Sequence, residues 1–384
     1  MARKSNAADA AEPPSPEGGW SSSLSIVDKA LLVPPEKSDF VQRCGVLDGN
    51  GDFVGASATW RGRRQMIVAP DKPQAEPESL TGRHLFGGQF WAHFGHFMAE
   101  SLSRLWALSA LKEAPESIVF MPKRPGKGTR LLGYQQEFFD LLGIDIPIRI
   151  IDRPTRIDEL IVPGQGFGLG DIAAGTDEFR GYFAERFATG VAAEGPEGLY
   201  LSRSALGGLE GGALAEEALE ANLAKGGLEI LHPQQLSITE QVARYRAARR
   251  VLGLDGSAFH LFGFVGRPQQ TAGMILRRTS NVYGSIRSQL RSFCGIDPVV
   301  IDAVAADWIP EHKKRPGRYS FGELDFKALA QMLHQTGFGP PPEAWELPRF
   351  RQMKQAMKAH SRTKGIAFQR VKKPGRRFVS GAPT

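Results

Sequence analysis

The sequence predicts an α/β protein with two Rossmann-like domains, and three observations lead to this fold class. The chain has 384 residues, enough for two domains of about 150 residues each. Hydrophobic residues make up 41% of it and charged residues 23%, a balance typical of globular proteins. Short apolar runs alternate with helical stretches of about 10–15 residues, which is the pattern of βαβ units that build parallel sheets.

Composition and pattern divide the chain into five regions. Residues 1–22 are rich in Ala, Ser, Pro and Glu, a composition that predicts disorder. An N-terminal Rossmann-like domain is predicted at 23–190 and a C-terminal one at 191–310. A helical extension at 311–348 then precedes a basic tail at 349–384, which contains eleven Lys and Arg and no Asp or Glu.

Apolar runs and helical periodicity predict the elements of each domain. In the N-terminal domain, strands are predicted at 65–69, 117–121, 148–152 and 159–163, helices at 90–112, 133–142 and 176–189, and a glycine-rich loop at 164–175. In the C-terminal domain, strands are predicted at 198–202, 228–231, 250–254 and 271–276, and helices at 215–225, 237–248 and 257–264. Two later helices are predicted at 321–335 and 348–358. The helix at 237–248 begins with a capping box, because Glu240 lies three residues after Ser237.

The basic tail accounts for more than the whole formal charge of +7, so the rest of the chain is net negative. Such a body is not typical of a nucleic-acid-binding protein. The tail is interpreted either as a solvated, partly disordered segment or as an electrostatic contact with an anionic membrane or polymer. Both interpretations stay open at this point, and so does a third, that the tail binds nucleic acid.

Three features of the sequence bear on its location. It has no apolar run of about 18 residues, and its start lacks the apolar core of a signal peptide. Its two cysteines, Cys44 and Cys294, have no CxxC spacing, which fits a reducing compartment and argues against structural zinc. We therefore expect a cytoplasmic protein, with peripheral contact to the inner membrane if the tail binds lipid.

The segment 86–108 carries the most unusual polar pattern. His96, Glu100 and Arg104 stand at i, i+4 and i+8, a spacing that predicts one shared face of an otherwise apolar helix. One interpretation is a cleft wall on which His96 or Glu100 accepts a proton while Arg104 orients the carboxylate. The alternative is a buried network that only satisfies itself. His93 adds an HxxH pattern, which predicts metal binding only weakly.

Arg203 directly follows the predicted strand 198–202. Ligands of parallel sheets bind at the carboxyl ends of strands, and an arginine there can hold a phosphate through two hydrogen bonds. The sequence lacks a Walker lysine motif, GxGxxG, HExxH and the GxSxG elbow. These absences argue against an ATPase, a dehydrogenase with the usual dinucleotide fingerprint, a zincin and an α/β-hydrolase.

A second candidate anion site follows the predicted strand 250–254. Gly256, Ser257 and Ala258 form a tight turn into a helix, and the free amides of a helix start favour a phosphate. Asp255 and His260 flank this turn. The alternative for His260 is a histidine that only serves packing.

These motifs, in this order, resemble those of glycosyltransferase family 61. His96-x3-Glu100-x3-Arg104-Leu105 resembles the family's HxxxExxxRL helix, and LYLSR at 199–203 resembles its YISR strand. LEILHPQQLSITEQ at 228–241 is similar to a family stretch that reads GFEIVYPEELSFEEQ. GLDGSA at 253–258 is similar to the bacterial form of its GxHGA segment.

The resemblance implies a GT-B-like fold, with the active site in a cleft between two Rossmann-like domains. It implies inverting, metal-independent transfer of a hexosyl or pentosyl group from a nucleotide sugar to a glycan or lipid-linked acceptor, without a cofactor. It further suggests the bacterial capsular-polysaccharide branch and a role in envelope polysaccharide synthesis.

The resemblance and the motifs together assign site residues. The candidates for the catalytic base are His96, Glu100 and Asp255, with His96 paired to Glu100 preferred because neutral histidine is a competent base near pH 7. The candidates for substrate or nucleotide binding are Arg104, Arg203, Gln241, Gly256, Ser257, Ala258 and His260.

The sequence departs from the family pattern at two places. An Arg and an Asn that many members carry after the YISR strand are absent from the corresponding stretch, 212–216. The His of GxHGA is Asp255 here. The missing Arg and Asn leave open a catalytically decayed GT-B-like protein that binds nucleotides or polysaccharides. A separate alternative is a phosphorylase or epimerase that uses the same phosphate site.

Overall fold

The structure is a computed structural model and describes residues 12–207 and 210–373. Its residues group into two compact units. Unit 1 comprises the described residues up to Ala192 together with Ser257–Arg267 and Gly284–Gly295. Unit 2 comprises the other described residues. Residues 1–11, for which disorder is predicted, lie outside the described residues, and so do the last eleven residues of the basic tail.

The strands of the described residues occur in both units. In chain order they are β1 (Leu24–Val33), β2 (Gln42–Arg43), β3 (Gly45–Leu47), β4 (Trp60–Arg61), β5 (Arg64–Gln65), β6 (Ile67–Val68), β7 (Glu78–Phe90), β8 (Ser117–Pro122), β9 (Ile148–Ile150), β10 (Thr155–Pro163), β11 (Gly198–Leu201), β12 (Glu229–Leu231), β13 (Arg250–Leu254), β14 (Thr271–Ile275), β15 (Val299–Ile301), β16 (Val304–Pro310), β17 (Phe321–Leu324) and β18 (Phe368–Lys372).

The helices of the described residues are mostly short. In chain order they are α1 (Phe94–His96), α2 (Ala107–Ala110), α3 (Gly133–Leu141), α4 (Asp177–Arg186), α5 (Glu216–Lys225), α6 (Ile238–Ala247), α7 (Ala258–Val265), α8 (Tyr283–Cys294), α9 (Phe326–Gln335) and α10 (Phe350–Lys364). A π-helical turn covers Phe97–Ser101, and short 3-10 helices cover Gly19–Ser22, Gly55–Ser57, Asp171–Ala174, Ser204–Leu206, Pro233–Gln235 and Pro342–Ala344. In the part of the chain that the structure describes, no helix is long and apolar enough to cross a bilayer.

Unit 1 contains a six-stranded mixed sheet in the order β3-β1-β10-β7-β8-β9. The strands from β10 to β9 run parallel, whereas β1 pairs antiparallel with both β10 and β3. The central strand β7 was not predicted, because its sequence contains three glycines and a polar first half. Only its second half is buried, so its alternation is too weak to indicate a strand.

Unit 2 contains the parallel sheet predicted for this part of the chain, with five strands in the order β12-β11-β13-β14-β15. The chain runs outward from β11 to β12 and then reverses to β13 on the other side. In sheets of this order, ligands bind outside the carboxyl ends of the strands at the reversal, which here lies between β11 and β13.

Helices α7 and α8 belong to unit 1, although the sequence prediction placed this part of the chain in the C-terminal domain. The physical reason is an aromatic cluster. Phe264 of α7 stacks on Phe183 at 4.5 Å between ring centroids and lies 5.8 Å from Phe293 of α8. Phe293 in turn contacts Phe167 at 5.3 Å. Burial of large aromatic rings outweighs proximity in the chain here.

The described part of the basic tail is folded into unit 2. It forms α10 and then β18, which pairs antiparallel with β16. Arg370 of β18 binds Glu323 through two hydrogen bonds, and Lys373 binds Asp302 at 2.6 Å. The helix predicted at 348–358 is present as α10, and the tail has regular structure as far as β18. The prediction of a single helix at 321–335 is wrong in its first turn, which is β17.

Candidate functional site

The carboxyl ends of the parallel strands in unit 1 bring several polar and aromatic side chains to one edge of the sheet. Trp91 directly follows β7, and Lys123 directly follows β8. The backbone N–H of Lys123 donates to the carbonyl of Phe90 at 3.0 Å, and its Nζ lies 5.1 Å from the Trp91 ring centroid. This is the edge at which parallel sheets bind ligands.

The predicted continuous helix at 90–112 is wrong. Phe90 is the last residue of β7, and a π-helical turn at Phe97–Ser101 interrupts the helix after α1. The Leu102 N–H donates to the Phe97 carbonyl at 3.2 Å, an i to i−5 bond. Ser101 Oγ bridges the turn to the strand, since it donates to the Gln89 carbonyl and accepts from the Trp91 N–H.

Arg104 does not orient Glu100, contrary to the sequence prediction. The wider π turn shifts later residues away from the positions that α-helical spacing gives them. The fully buried guanidinium of Arg104 instead donates from Nη2 to the carbonyls of Ala56 at 3.0 Å and Ala58 at 2.5 Å. Burial lowers the pKa of Arg104 to about 9. The side chain therefore stabilises the core of unit 1, and in this conformation it is not accessible to a substrate.

The partner of Glu100 is Arg61, which sequence reasoning missed. Arg61 donates from Nε to Oε1 and from Nη2 to Oε2 of Glu100, both at 2.9 Å. His96 Nδ1 lies 3.0 Å from the same Oε2. The Glu100 side chain is only 2% exposed, whereas His96 keeps 25% and Arg61 23% of their side-chain surface. A buried carboxylate thus joins two partly accessible side chains.

The charge state of Glu100 determines which nitrogen of His96 carries the proton. Burial alone would raise the pKa of Glu100, but hydrogen bonds and charge from His96 and Arg61 together lower it below the ordinary glutamate value. An ionised carboxylate only accepts hydrogen bonds, so His96 Nδ1 must donate to it. The Nη2 of Arg61, 3.4 Å from Nδ1, is then a neighbouring donor. When the His96 ring is in its neutral form, its Nε2 keeps its lone pair.

His260 lies in unit 1 with His96 and Glu100, and Asp255 lies in unit 2. The two residues predicted to flank one turn therefore belong to different units. His260 Nδ1 lies 2.6 Å from Oε1 of Gln289, and Gln289 Nε2 donates to the His260 carbonyl at 3.0 Å. Burial is the main cause that lowers the pKa of His260, and His96 adds to it. His260 is thus held neutral, with its proton on Nδ1.

Gly95 and Ser257 explain how α7 approaches the helix that carries His96. A Cβ atom at Gly95 would lie 2.8 Å from the Ser257 Cβ, which is closer than real contacts allow. Ser257 precedes α7 with helical backbone angles, and its side chain forms no capping hydrogen bond. Of the predicted turn, Ser257 and Ala258 belong to unit 1 and Gly256 to unit 2.

In unit 2, Arg203 lies at the reversal of strand order, two residues after β11. Its Nε and Nη2 donate to the Gly211 carbonyl at 3.2 and 3.1 Å. Its backbone N–H donates to Oε1 of Glu216 at 2.8 Å. A Cβ atom at Gly256 would lie 2.9 Å from Arg203 Nη1, so the guanidinium passes directly over the residue after Asp255. Burial and the neighbouring Arg277 lower the pKa of Arg203 to about 10.

Asp255 is buried between two further arginines that sequence reasoning missed. Its Oδ1 accepts the Arg277 backbone N–H at 2.8 Å, and its carbonyl accepts Arg277 Nε at 2.9 Å. Arg278 Nε lies 3.7 Å from Oδ2. Arg277 Nη1 and Arg278 Nε are buried without a hydrogen-bond partner among the described residues. Burial and Arg277 lower the pKa of Arg278 to about 10. Asp255 therefore holds arginines rather than presenting a free base.

Gln241, predicted to contact substrate, is buried and holds a local turn. Its Nε2 donates to the carbonyls of Pro233 at 2.9 Å and Leu236 at 3.2 Å. The amide N–H groups that a ligand could use are therefore already bonded.

A signal for two of the three missed arginines was present in the sequence. Arg277 and Arg278 directly follow the predicted strand 271–276. A position directly after a parallel strand is also the reason why Arg203 was selected. Arg61 lies beside Gly62 in a β4-β5 hairpin, but nothing local links it to Glu100, 39 residues later.

The HxxH pattern does not form a metal site in the described residues. His93 Nδ1 accepts the His96 backbone N–H at 3.4 Å and so caps α1. Across residues 12–207 and 210–373, no group of three or more His, Cys, Asp or Glu side chains is arranged to hold a metal ion.

Residues 94–273 match the family model described as Glycosyltransferase 61. The match supports glycosyltransferase family 61. This family implies glycosyltransferase activity and suggests a nucleotide-sugar donor and a glycan acceptor. The matched segment covers slightly less than half of the chain and includes His96, Glu100 and Arg203, but not Arg61 or Arg277. No curated protein matches the chain.

Proposed function

We propose that the protein is an inverting, metal-independent glycosyltransferase. It moves a hexosyl or pentosyl group from a nucleotide sugar to a glycan or glycolipid acceptor. Unit 1 supplies the catalytic base, and unit 2 binds the diphosphate of the donor. No cofactor takes part beyond the donor itself.

The observation that carries the proposal is the hydrogen bonding of His96. The Glu100 carboxylate accepts from Nδ1 at 3.0 Å and is itself held by Arg61. This leaves the Nε2 lone pair on a side chain that is one-quarter exposed. A neutral histidine oriented by a buried carboxylate is suited to remove a proton from a hydroxyl group near pH 7. Glu100 then stabilises the imidazolium that forms.

The chemical step is a direct displacement. His96 Nε2 takes the proton of the acceptor hydroxyl while that oxygen forms a bond to the anomeric carbon. The bond between the anomeric carbon and the phosphate oxygen breaks, and its electron pair leaves with the nucleoside diphosphate. Because the acceptor attacks the face opposite the leaving group, the anomeric configuration inverts.

The arginines of unit 2 support diphosphate binding. Arg203, Arg277 and Arg278 lie after the ends of β11 and β14, beside the strand reversal where such sheets bind ligands. Arg277 Nη1 and Arg278 Nε lack hydrogen-bond partners among the described residues, and buried charged donors without partners are costly. A diphosphate supplies the missing acceptors and stabilises the leaving group, the task that a metal ion performs in other enzymes.

The biological setting follows by analogy with the family. We propose a cytoplasmic role in envelope or capsular polysaccharide synthesis, in the bacterial capsular branch. The cationic face of α10 would provide peripheral contact with an anionic membrane, since it carries several Lys and Arg and no acidic residue.

The test is a panel of nucleotide sugars and acceptors with purified protein, in the presence and absence of EDTA, with the product anomer determined by NMR. His96→Asn should lower kcat by at least about 100-fold while leaving donor binding intact. His312→Asn, an exposed histidine of unit 2, is the matched control. Transfer by His96→Asn at the wild-type rate would refute the assignment of the base.

The same panel separates the rival functions. Tight binding of a nucleoside diphosphate with no turnover of any donor would favour a decayed binding protein. Release of a sugar 1-phosphate or an epimerised donor would favour a phosphorylase or an epimerase. His260→Asn tests the other neutral histidine of unit 1, and a larger loss there than in His96→Asn would move the base to His260.

A further inference from the structure

An aromatic and cationic surface surrounds His96 in unit 1. We define this platform as Phe40, Arg61, Arg64, Trp91 and Lys123. The guanidinium carbons of Arg61 and Arg64 lie 5.8 and 5.4 Å from the Phe40 ring centroid. The Arg61 carbon also lies 5.6 Å from the Trp91 centroid, and the Trp91 ring stacks on His96 at 4.4 Å. The platform is thus continuous with the proposed base.

The exposure of the platform is unusual for its chemistry. Phe40 is 55% exposed, although burying such a ring would be favourable. Arg64 is exposed as well, and Trp91 is half-buried. The arginines flank the two-residue turn of the β4-β5 hairpin, whose Gly62 N–H donates to the Leu169 carbonyl at 2.9 Å. The backbone of the hairpin is therefore anchored at this turn.

The platform carries excess positive charge. Arg61 is neutralised by Glu100, and Lys123 donates to the Asp39 carbonyl and to Gln42 Oε1. Arg64 forms no ion pair with any carboxylate among the described residues. An exposed ring beside an unpaired guanidinium can stack on the apolar face of a sugar while binding its negative group.

We propose that the platform is the acceptor site and that the acceptor is an anionic saccharide. One sugar ring stacks on Phe40, and its carboxylate or phosphate pairs with Arg64, which places a neighbouring hydroxyl toward His96. This inference rests on the proposed function and adds the chemical class of the acceptor. Phe40, Arg61, Arg64 and Trp91 precede the segment that matches the family, and Lys123 lies within it.

The donor has its own site in the other unit. The buried nitrogens that lack a hydrogen-bond partner among the described residues belong to Arg277 and Arg278 of unit 2. The cations of the platform are therefore not needed for the donor phosphates and remain available to a second negative group, which we assign to the acceptor.

The experiment measures binding of defined probes to the full chain without donor, at low and at high salt. The probes are a glucuronic-acid-containing tetrasaccharide, glucose 1-phosphate, a neutral tetrasaccharide of equal length and a single-stranded oligonucleotide. Arg64→Gln should weaken binding of the acidic tetrasaccharide about fivefold and leave the neutral one unchanged. Phe40→Ala should weaken both about fivefold.

Arg156→Gln is the matched charge control. Arg156 is exposed in unit 1 but lies at the amino end of β10, opposite Ser79 near the start of β7, at the far edge of the sheet from Trp91. It should bind every probe like wild type. Binding of glucose 1-phosphate but not of the uronate would assign the negative group as a phosphate, and the reverse result would assign it as a carboxylate.

Three outcomes overturn the proposal: no anionic saccharide binds up to about 10 mM, Arg64→Gln leaves the acidic probes unaffected, or the oligonucleotide binds more tightly than every saccharide. Two other measurements test the proposed function by itself: UDP binding by Arg277→Ala and turnover of the donor by the wild type. Loss of turnover with intact, Arg64-dependent saccharide binding would refute the transferase but not the platform.

Discussion

Removal of Arg61 tests the buried charge network most directly. Arg61→Ala deletes two hydrogen bonds of 2.9 Å and leaves Glu100, 2% exposed, with His96 as its remaining hydrogen-bond partner. Breaking a buried ion pair by removing one partner costs about 3–5 kcal/mol. Because Arg61 retains 23% exposure, water can enter when it is removed, and we expect a smaller cost than this range, about 2–3 kcal/mol.

A double-mutant cycle isolates the interaction from the loss of packing. Glu100→Gln alone should also destabilise, since it leaves Arg61 without its acceptor. The double variant should cost less than the sum of the two by about 2 kcal/mol, because no uncompensated charge remains. The free energy of unfolding is measured in urea by tryptophan fluorescence. Arg43 and Asp71 provide the control cycle, since they form a similar two-bond pair that is fully at the surface.

The pH dependence supplies a second readout. The pKa of Glu100 is lowered in the folded state, so its stabilisation is present above the ordinary value of 4.5 and is lost as pH falls through the folded value. The difference between wild type and Arg61→Ala should therefore shrink below about pH 4.5. A coupling energy under about 0.5 kcal/mol, or no larger than that of the surface cycle, would refute the reasoning.

Three further predictions concern neighbouring groups. Burial raises the pKa of Glu216 to about 7. The contribution of its protonation to stability is therefore complete below the ordinary value of 4.5 and is lost as pH rises through about 7. Glu216→Gln should flatten the resulting fall in melting temperature between pH 5 and pH 8. Gly95→Ala should cost about 1–3 kcal/mol in urea unfolding through its clash with Ser257, whereas Gly133→Ala, where a Cβ meets nothing, should not destabilise. Arg277→Ala should weaken UDP binding at least about tenfold in calorimetry, and it should lower thermal stability because it removes the hydrogen bond from Nε to the buried Asp255 carbonyl.

Local patterns predicted the elements whose signals lie within a few residues. The capping box of α6 is present as expected, since Ser237 Oγ accepts the Glu240 N–H at 3.1 Å and Glu240 Oε2 accepts the Ser237 N–H at 2.8 Å. Strand β13 has the predicted bounds, Arg250–Leu254. The parallel order of unit 2 follows from strands separated by helices, because parallel neighbours need such a crossover.

Other assignments failed where a distant contact outweighed the local pattern. The segment 90–112 has the periodicity of one helix, but Ser101 Oγ is bound to the end of β7 and a π turn replaces regular spacing. The predicted helix at 321–335 included the residues of β17. These residues form a strand because they pair with β16, which lies outside the predicted helix. Neither contact leaves a periodic signal within its own segment.

The sequence by itself determined the pair His96 and Glu100, because residues at i and i+4 meet on one helical turn whatever surrounds them. It also determined the parallel sheet of unit 2 and the position of Arg203 after its first strand. Only the tertiary structure decided that Arg61 rather than Arg104 binds Glu100 and that α7 brings His260 into unit 1. The reason is physical: these choices depend on buried charge and on the packing of Phe264 among rings far along the chain, which no local spacing encodes.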